Sequence, residues 1–95
     1  MPEMRFRIKW PDGSEESCYS PSLVIKDYLV PGEVYALNDF VASARTALSI
    51  ASDRVKTKYG FPCSRALDQL QSLEATAQKF HSLNNPQVTV LAFLE

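Results

Sequence analysis

The opening ten residues constrain this chain more than any other stretch. Met4, Phe6, Ile8 and Trp10 alternate with Glu3, Arg5, Arg7 and Lys9. Period two is the pattern of a β-strand with one apolar face and one largely basic face. Pro11-Asp12-Gly13 follows at once. Pro suits the first central position of a type I turn, and Gly13 can take the left-handed position after it. The result is a three-residue hairpin loop with a bulge at the glycine. In that register Lys9 faces Glu15, Ile8 faces Glu16, Arg7 faces Ser17 and Phe6 faces Cys18, which puts Cys18 on the apolar face. A two-residue loop would shift the pairing by one and carry Cys18 to the basic face beside Arg7. Pro11 favours the bulged loop.

The apolar face of this hairpin needs a cover, and the middle of the chain supplies one. Phe40, Ala44, Ala47, Leu48, Ala51, Val55 and Tyr59 recur at helical spacing behind Asn38 as N-cap, with Asp39 in the first turn and Gly60 as the stop. A second helix is predicted from Cys63 or Ser64 to about Leu83. Its stripe is Ala66, Leu67, Leu70, Leu73, Ala77 and Phe80, and Asn84-Asn85-Pro86 breaks it. Phe61 is expected to plug the core between the two helices. Before them, Ser20 as cap and Pro21 at the first helical position suggest a short helix. Glu33 to Leu37 reads as either an extended piece or a tucked loop. The chain finishes on "QVTVLAFL", which is expected to pair beside the first strand. The predicted fold is a single α+β domain over 1–95. It has a three-stranded sheet, made of the N-terminal hairpin plus the C-terminal strand in the order 2-1-3, with two long antiparallel helices packed on one face.

Such a sheet leaves its other face uncovered, with Arg5, Arg7 and Lys9 about 7 Å apart along it. Half of the last strand joins them: either Val88, Val90, Ala92 and Leu94, or Thr89, Leu91 and Phe93. Exposed apolar stripes of that kind mark interfaces. Arg5, Arg7, Val90 and Phe93 are therefore the candidate interface residues, for a homodimer or a dedicated protein partner. Glu15 offers Lys9 a cross-strand partner.

Composition narrows the function. The 95 residues are 45% hydrophobic and 22% charged, too apolar for a disordered chain, and the net charge is −1. That balance argues against a nucleic-acid binder, whose affinity rests on a basic surface. The N-terminus lacks the features of a signal peptide, and no apolar run spans a bilayer. No membrane association is expected. The predicted setting is the cytoplasm, where Cys18 and Cys63 stay reduced. His81 is the one histidine. Without a second histidine or a paired cysteine motif, no metal site is expected. No Gly-rich phosphate loop is present, and no cofactor is predicted.

Cys63 is the candidate catalytic residue. A thiol in the first turn of a helix meets unpaired N–H groups and the positive end of the dipole, which favour the thiolate. Ser64 and Arg65 follow directly, so the same turn is a candidate anion site. The simpler account makes Cys63 a small half-buried residue at a bend. Tyr28, Tyr35 and Tyr59 are candidates to line a ligand pocket, although core filling with wet hydroxyls is the better account of them.

The strings "MRFRIKWPDGSEESCYSPSLVIKDYLVPGE" and "ASDRVKTKYGFPCSRALDQL" resemble a family of small bacterial proteins named for a nitrogen-starvation response. The similarity covers most of the chain and weakens from about Glu74 to Asn85. Members are typically encoded beside a nitrilase, an iron–sulfur radical enzyme, an acetyltransferase and a flavoprotein. The resemblance implies an accessory protein of a nitrogen- or nitrile-related pathway, partnered by itself or by an enzyme of the same gene cluster. It supplies no catalytic residue. Cys18, Tyr19, Ser20, Pro21, Phe61, Pro62, Cys63, Ser64 and Arg65 carry the motifs. A non-catalytic binding role is the favoured expectation, with a Cys63-dependent enzyme or carrier as the alternative.

Overall fold

The computed structural model describes residues 3–61 and 63–94, so Pro62 lies outside the described residues. β1 (Met4–Lys9) and β2 (Glu15–Ser20) form the expected hairpin, with Phe6 opposite Cys18 and Lys9 opposite Glu15. Gly13 has φ 91° and donates its N–H to the Trp10 carbonyl at 2.9 Å, which closes the bulged turn. Burial alternates strictly along β1. Phe6, Ile8 and Cys18 are fully buried on the inner face.

The sheet has four strands rather than three, in the order β2-β1-β4-β3. The added strand is β3 (Val34–Ala36), which pairs antiparallel with β4 (Gln87–Leu94). A strand left at the sheet edge presents unpaired N–H and C=O groups. Here the Pro31-Gly32 turn brings the chain back to meet them. Gly32 N–H donates to the Val90 carbonyl at 2.7 Å, and Val90 N–H donates to the Glu33 carbonyl at 3.0 Å.

β4 runs antiparallel to β1 and its register slips once: Arg7 faces Ala92, but Ile8 faces Val90. Leu91 is the extra residue. A bulge reverses which positions face inward. Val88, Val90 and Phe93 thus turn to the core, while Thr89, Ala92 and Leu94 share the outer face. Neither alternating set expected from the sequence survives intact. Val90 is fully buried and Phe93 packs against the core. Contrary to the expectation from the sequence, neither lies on the open face, where Leu94 and Val34, each 51% exposed, stand instead.

Ser22, not Ser20, caps a 3₁₀ helix at Leu23–Asp27 through its Oγ, which accepts from Val24 N–H. Ser20 is buried at the end of β2, and its hydroxyl donates to the Ser22 carbonyl at 2.7 Å. The long helix α1 (Leu37–Tyr59) begins one residue before Asn38. Ala36 holds its cap position with no side-chain hydrogen bond. The β3 pairing fixes that entry, because Leu37 N–H donates to the Pro86 carbonyl at 3.0 Å. Gly60 ends α1 in the left-handed conformation, φ 89°.

The second helix, α2 (Ser64–Gln78), stops short of Leu83 and leaves His81 beyond its end. Tighter turns then carry Phe80 onto Trp10, where the rings stack at 5.8 Å; Phe40 meets the same indole edge-on at 6.0 Å. Ala44, Ala47 and Ala51 on α1 and Ala66 and Ala77 on α2 are buried. Phe61 is 66% exposed and Leu67 is 43% exposed, both contrary to the sequence expectation.

Candidate functional site

The two motif strings meet at the outer edge of β2. Tyr19 N–H points away from β1 and donates to Gln69 Oε1 on α2 at 2.9 Å. This amide occupies the place a neighbouring strand would take. One helical turn earlier, the Arg65 guanidinium lies 3.9 Å from the centroid of the Tyr19 ring. Its Nη1 is 4.0 Å from Glu3 Oε2, with both side chains mostly exposed. Burial and a hydrogen bond to Glu3 push the Tyr19 phenol up from its ordinary value, against the pull of Arg65.

Between β2 and α2 lies a cleft of about 400 Å³, lined by Arg5, Glu16, Tyr19, Arg65, Asp68, Gln69 and Ser72. Glu16 sits on the inner face, where its Oε1 accepts from the Trp10 indole N–H at 3.0 Å. Its second oxygen is 3.9 Å from Cys18 Sγ. Burial, aided by the Glu16 charge, pushes the Cys18 thiol far up, so Cys18 is a core group and not a nucleophile.

Cys63 occupies the N-cap position of α2, as the sequence suggested, but its side chain makes no capping hydrogen bond. Its own N–H donates to Ser52 Oγ at 3.2 Å, and its side chain packs half-buried against the core. Ser64 follows as the first residue of α2 and is exposed. Of the predicted anion site, only Arg65 reaches the cleft. Both cysteines are free thiols.

The tyrosine pocket does not form. Tyr35 precedes α1 and Tyr59 ends it, so this 23-residue helix separates them by roughly 33 Å. Tyr35 is spent locally, its hydroxyl accepting from Val30 N–H at 2.8 Å. Tyr28 and Tyr59 are exposed. A larger hollow of about 640 Å³ lies between the hairpin loop and the turn before β4. Its charged groups are Lys9 and Asp12, and Asp12 is committed to Ser14 through two hydrogen bonds that hold its carboxyl low.

On the outer sheet face Arg5, Arg7 and Lys9 are exposed. Glu15 pairs with Arg7 diagonally, not with Lys9 directly opposite. Among the described residues no group of three His, Cys, Asp or Glu could hold a metal ion, and no helix is long and apolar enough to cross a membrane.

Sequence reasoning marked Tyr19 and Arg65 but passed over Glu3, Asp68 and Gln69. The signal for the last two was the helical spacing from Arg65, which puts all three on neighbouring turns. No curated protein and no solved structure matches the chain. The motif strings that build the β2–α2 junction fall within the stretch matched by a family model described as nitrogen starvation-induced protein NitG, residues 5–93, and the chain belongs to that family.

Proposed function

We propose that this chain is a small cytoplasmic accessory protein of the nitrogen-starvation response that acts by docking through its uncovered sheet face, with a second copy as the occupant. The observation that carries this reading is the division of that face. β1 contributes Arg5, Arg7 and Lys9, whereas β4 and β3 contribute Ala92, Leu94 and Val34. A twofold axis along β4 would lay the apolar half on its own copy and bring β1 over the partner's β3, so the basic rows never meet.

Strands of six, six, three and eight residues offer roughly 400 Å² of projected face. That is at the small end for a stable interface, so the association should depend on concentration. The alternative occupant is an enzyme encoded in the same gene cluster, a nitrilase among them.

Sedimentation over a range of concentrations tests the reading. The wild type should pass from monomer to dimer, while Leu94→Glu should stay monomeric with an unchanged circular dichroism spectrum and fail to restore growth under nitrogen limitation. A wild type that is monomeric throughout would remove the second copy and leave the enzyme partner.

A further inference from the structure

We infer that the cleft between β2 and α2 binds a small zwitterion of the α-amino-acid type, its carboxylate held by Arg5 and Arg65 and its ammonium by Asp68. The unspent charge in the cleft carries this inference. Among the described residues, neither Arg5 nor Asp68 has a hydrogen-bond or ion-pair partner, although both line the same cleft. Arg65 and Asp68 lie one turn apart on α2 yet form no ion pair with each other. Arg65 is already oriented by its stack on Tyr19, and Tyr19 is itself held through its N–H by Gln69. The one carboxylate near Arg65 is Glu3 at 4.0 Å, on an exposed side chain. Such a pair is worth little in water, so an incoming carboxylate displaces it at small cost.

The balance of charge selects the class of ligand. Two guanidiniums, of Arg5 and Arg65, and two carboxylates, of Asp68 and Glu16, line the cleft, and Glu16 already accepts from the Trp10 indole. A plain dicarboxylate would gain at the first pair and be repelled by the second, and a plain amine the reverse. A molecule carrying both charged groups on one carbon gains at both. Gln69 and Ser72 supply further polar contacts, which suit a polar side chain. A cleft of about 400 Å³ has the dimensions of a small-molecule site. An added peptide strand is disfavoured there, because Gln69 already holds the outward N–H of Tyr19. Arg5 also stands opposite Leu94 on the outer face, so a dimer on that face would reach one side of the cleft; Asp68 and Gln69 lie on α2, and Asp68→Asn tests the cleft without touching the docking face.

The test is a chemical-shift titration of the isotope-labelled full chain with L-glutamine and L-serine. Shifts should concentrate at Tyr19, Arg65, Asp68 and Gln69 and saturate in the millimolar range or below. N-acetylation of the ligand, amidation of its carboxylate, Asp68→Asn and Arg5→Gln should each weaken binding about tenfold, the scale of one charge-assisted hydrogen bond. All four changes lie on exposed groups or on the ligand, so the fold is retained. Three results would overturn the inference: no saturable shift with either amino acid, equal binding of the N-acetyl form, or binding indifferent to Asp68→Asn.

Discussion

The Arg65 guanidinium lies 3.9 Å from the centroid of the Tyr19 ring and joins the first turn of α2 to the outer edge of β2. The Gln69 amide bonds the Tyr19 N–H one turn further on. Together they close a sheet edge that would otherwise present its backbone to another chain.

Replacing Gln69 by Ala removes that closure and leaves a half-buried N–H without its protein partner. The expected cost is about 1 kcal/mol, which lowers the melting temperature by roughly 4–8 °C in a domain of this size. Hydrogen exchange at the Tyr19 amide should accelerate while exchange at Phe6 holds. An unchanged Tyr19 amide would mean that the bond is not formed in solution.

Cys18 should make stability fall in alkali. Its native thiol is raised well above the ordinary value of 9.0 by burial. Above that pH the unfolded chain releases the proton while the folded chain keeps it, so the stabilisation is full below about pH 9 and is lost as pH rises. The limiting slope is about 1.4 kcal/mol per pH unit. Urea melts from neutral pH upward should show the loss, and Cys18→Ala should flatten it. By the same argument, intact-mass alkylation of the native protein should label half-buried Cys63 well before Cys18.

The start of α1 can be improved. Ala36 is exposed and gives the helix no side-chain cap. Ala36→Asp should add about 1 kcal/mol by accepting a first-turn N–H and placing a negative charge at the positive end of the dipole. Chemical denaturation would show the midpoint rising with no change of slope.

Phe61 separates the observed bend from the expected one. A ring 66% exposed contributes little to folding. Phe61→Ser should therefore shift stability by no more than about 0.5 kcal/mol. A core plug would cost about 3 kcal/mol or more. A large loss in a denaturant melt would put the ring back between the helices.

Local features were legible in the sequence because the residues that decide them are neighbours. Pro11 and Gly13 set the hairpin turn and hence the pairing of Phe6 with Cys18. Helical spacing set the buried faces of α1 and α2, and Gly60 set the stop. For the same reason Cys63 was readable at the start of a helix. The meeting of Tyr19 with Arg65 and Gln69 was not, because it depends on how α2 lies across β2.

The tertiary structure alone decided where elements distant in the chain meet. Val34–Ala36 is too short to declare itself a strand, and it becomes one because β4 presents an unpaired edge. β4 pairs with β1 on one side and β3 on the other, and the slip at Leu91 lets Val88, Val90 and Phe93 all reach the core. No period in "QVTVLAFL" encodes that slip, since the packing across the sheet selects it. The charges of Arg5 and Asp68 likewise share a cleft only because the β2 edge and α2 are packed together, a relationship set by burial of the core beneath them and not by any spacing along the chain.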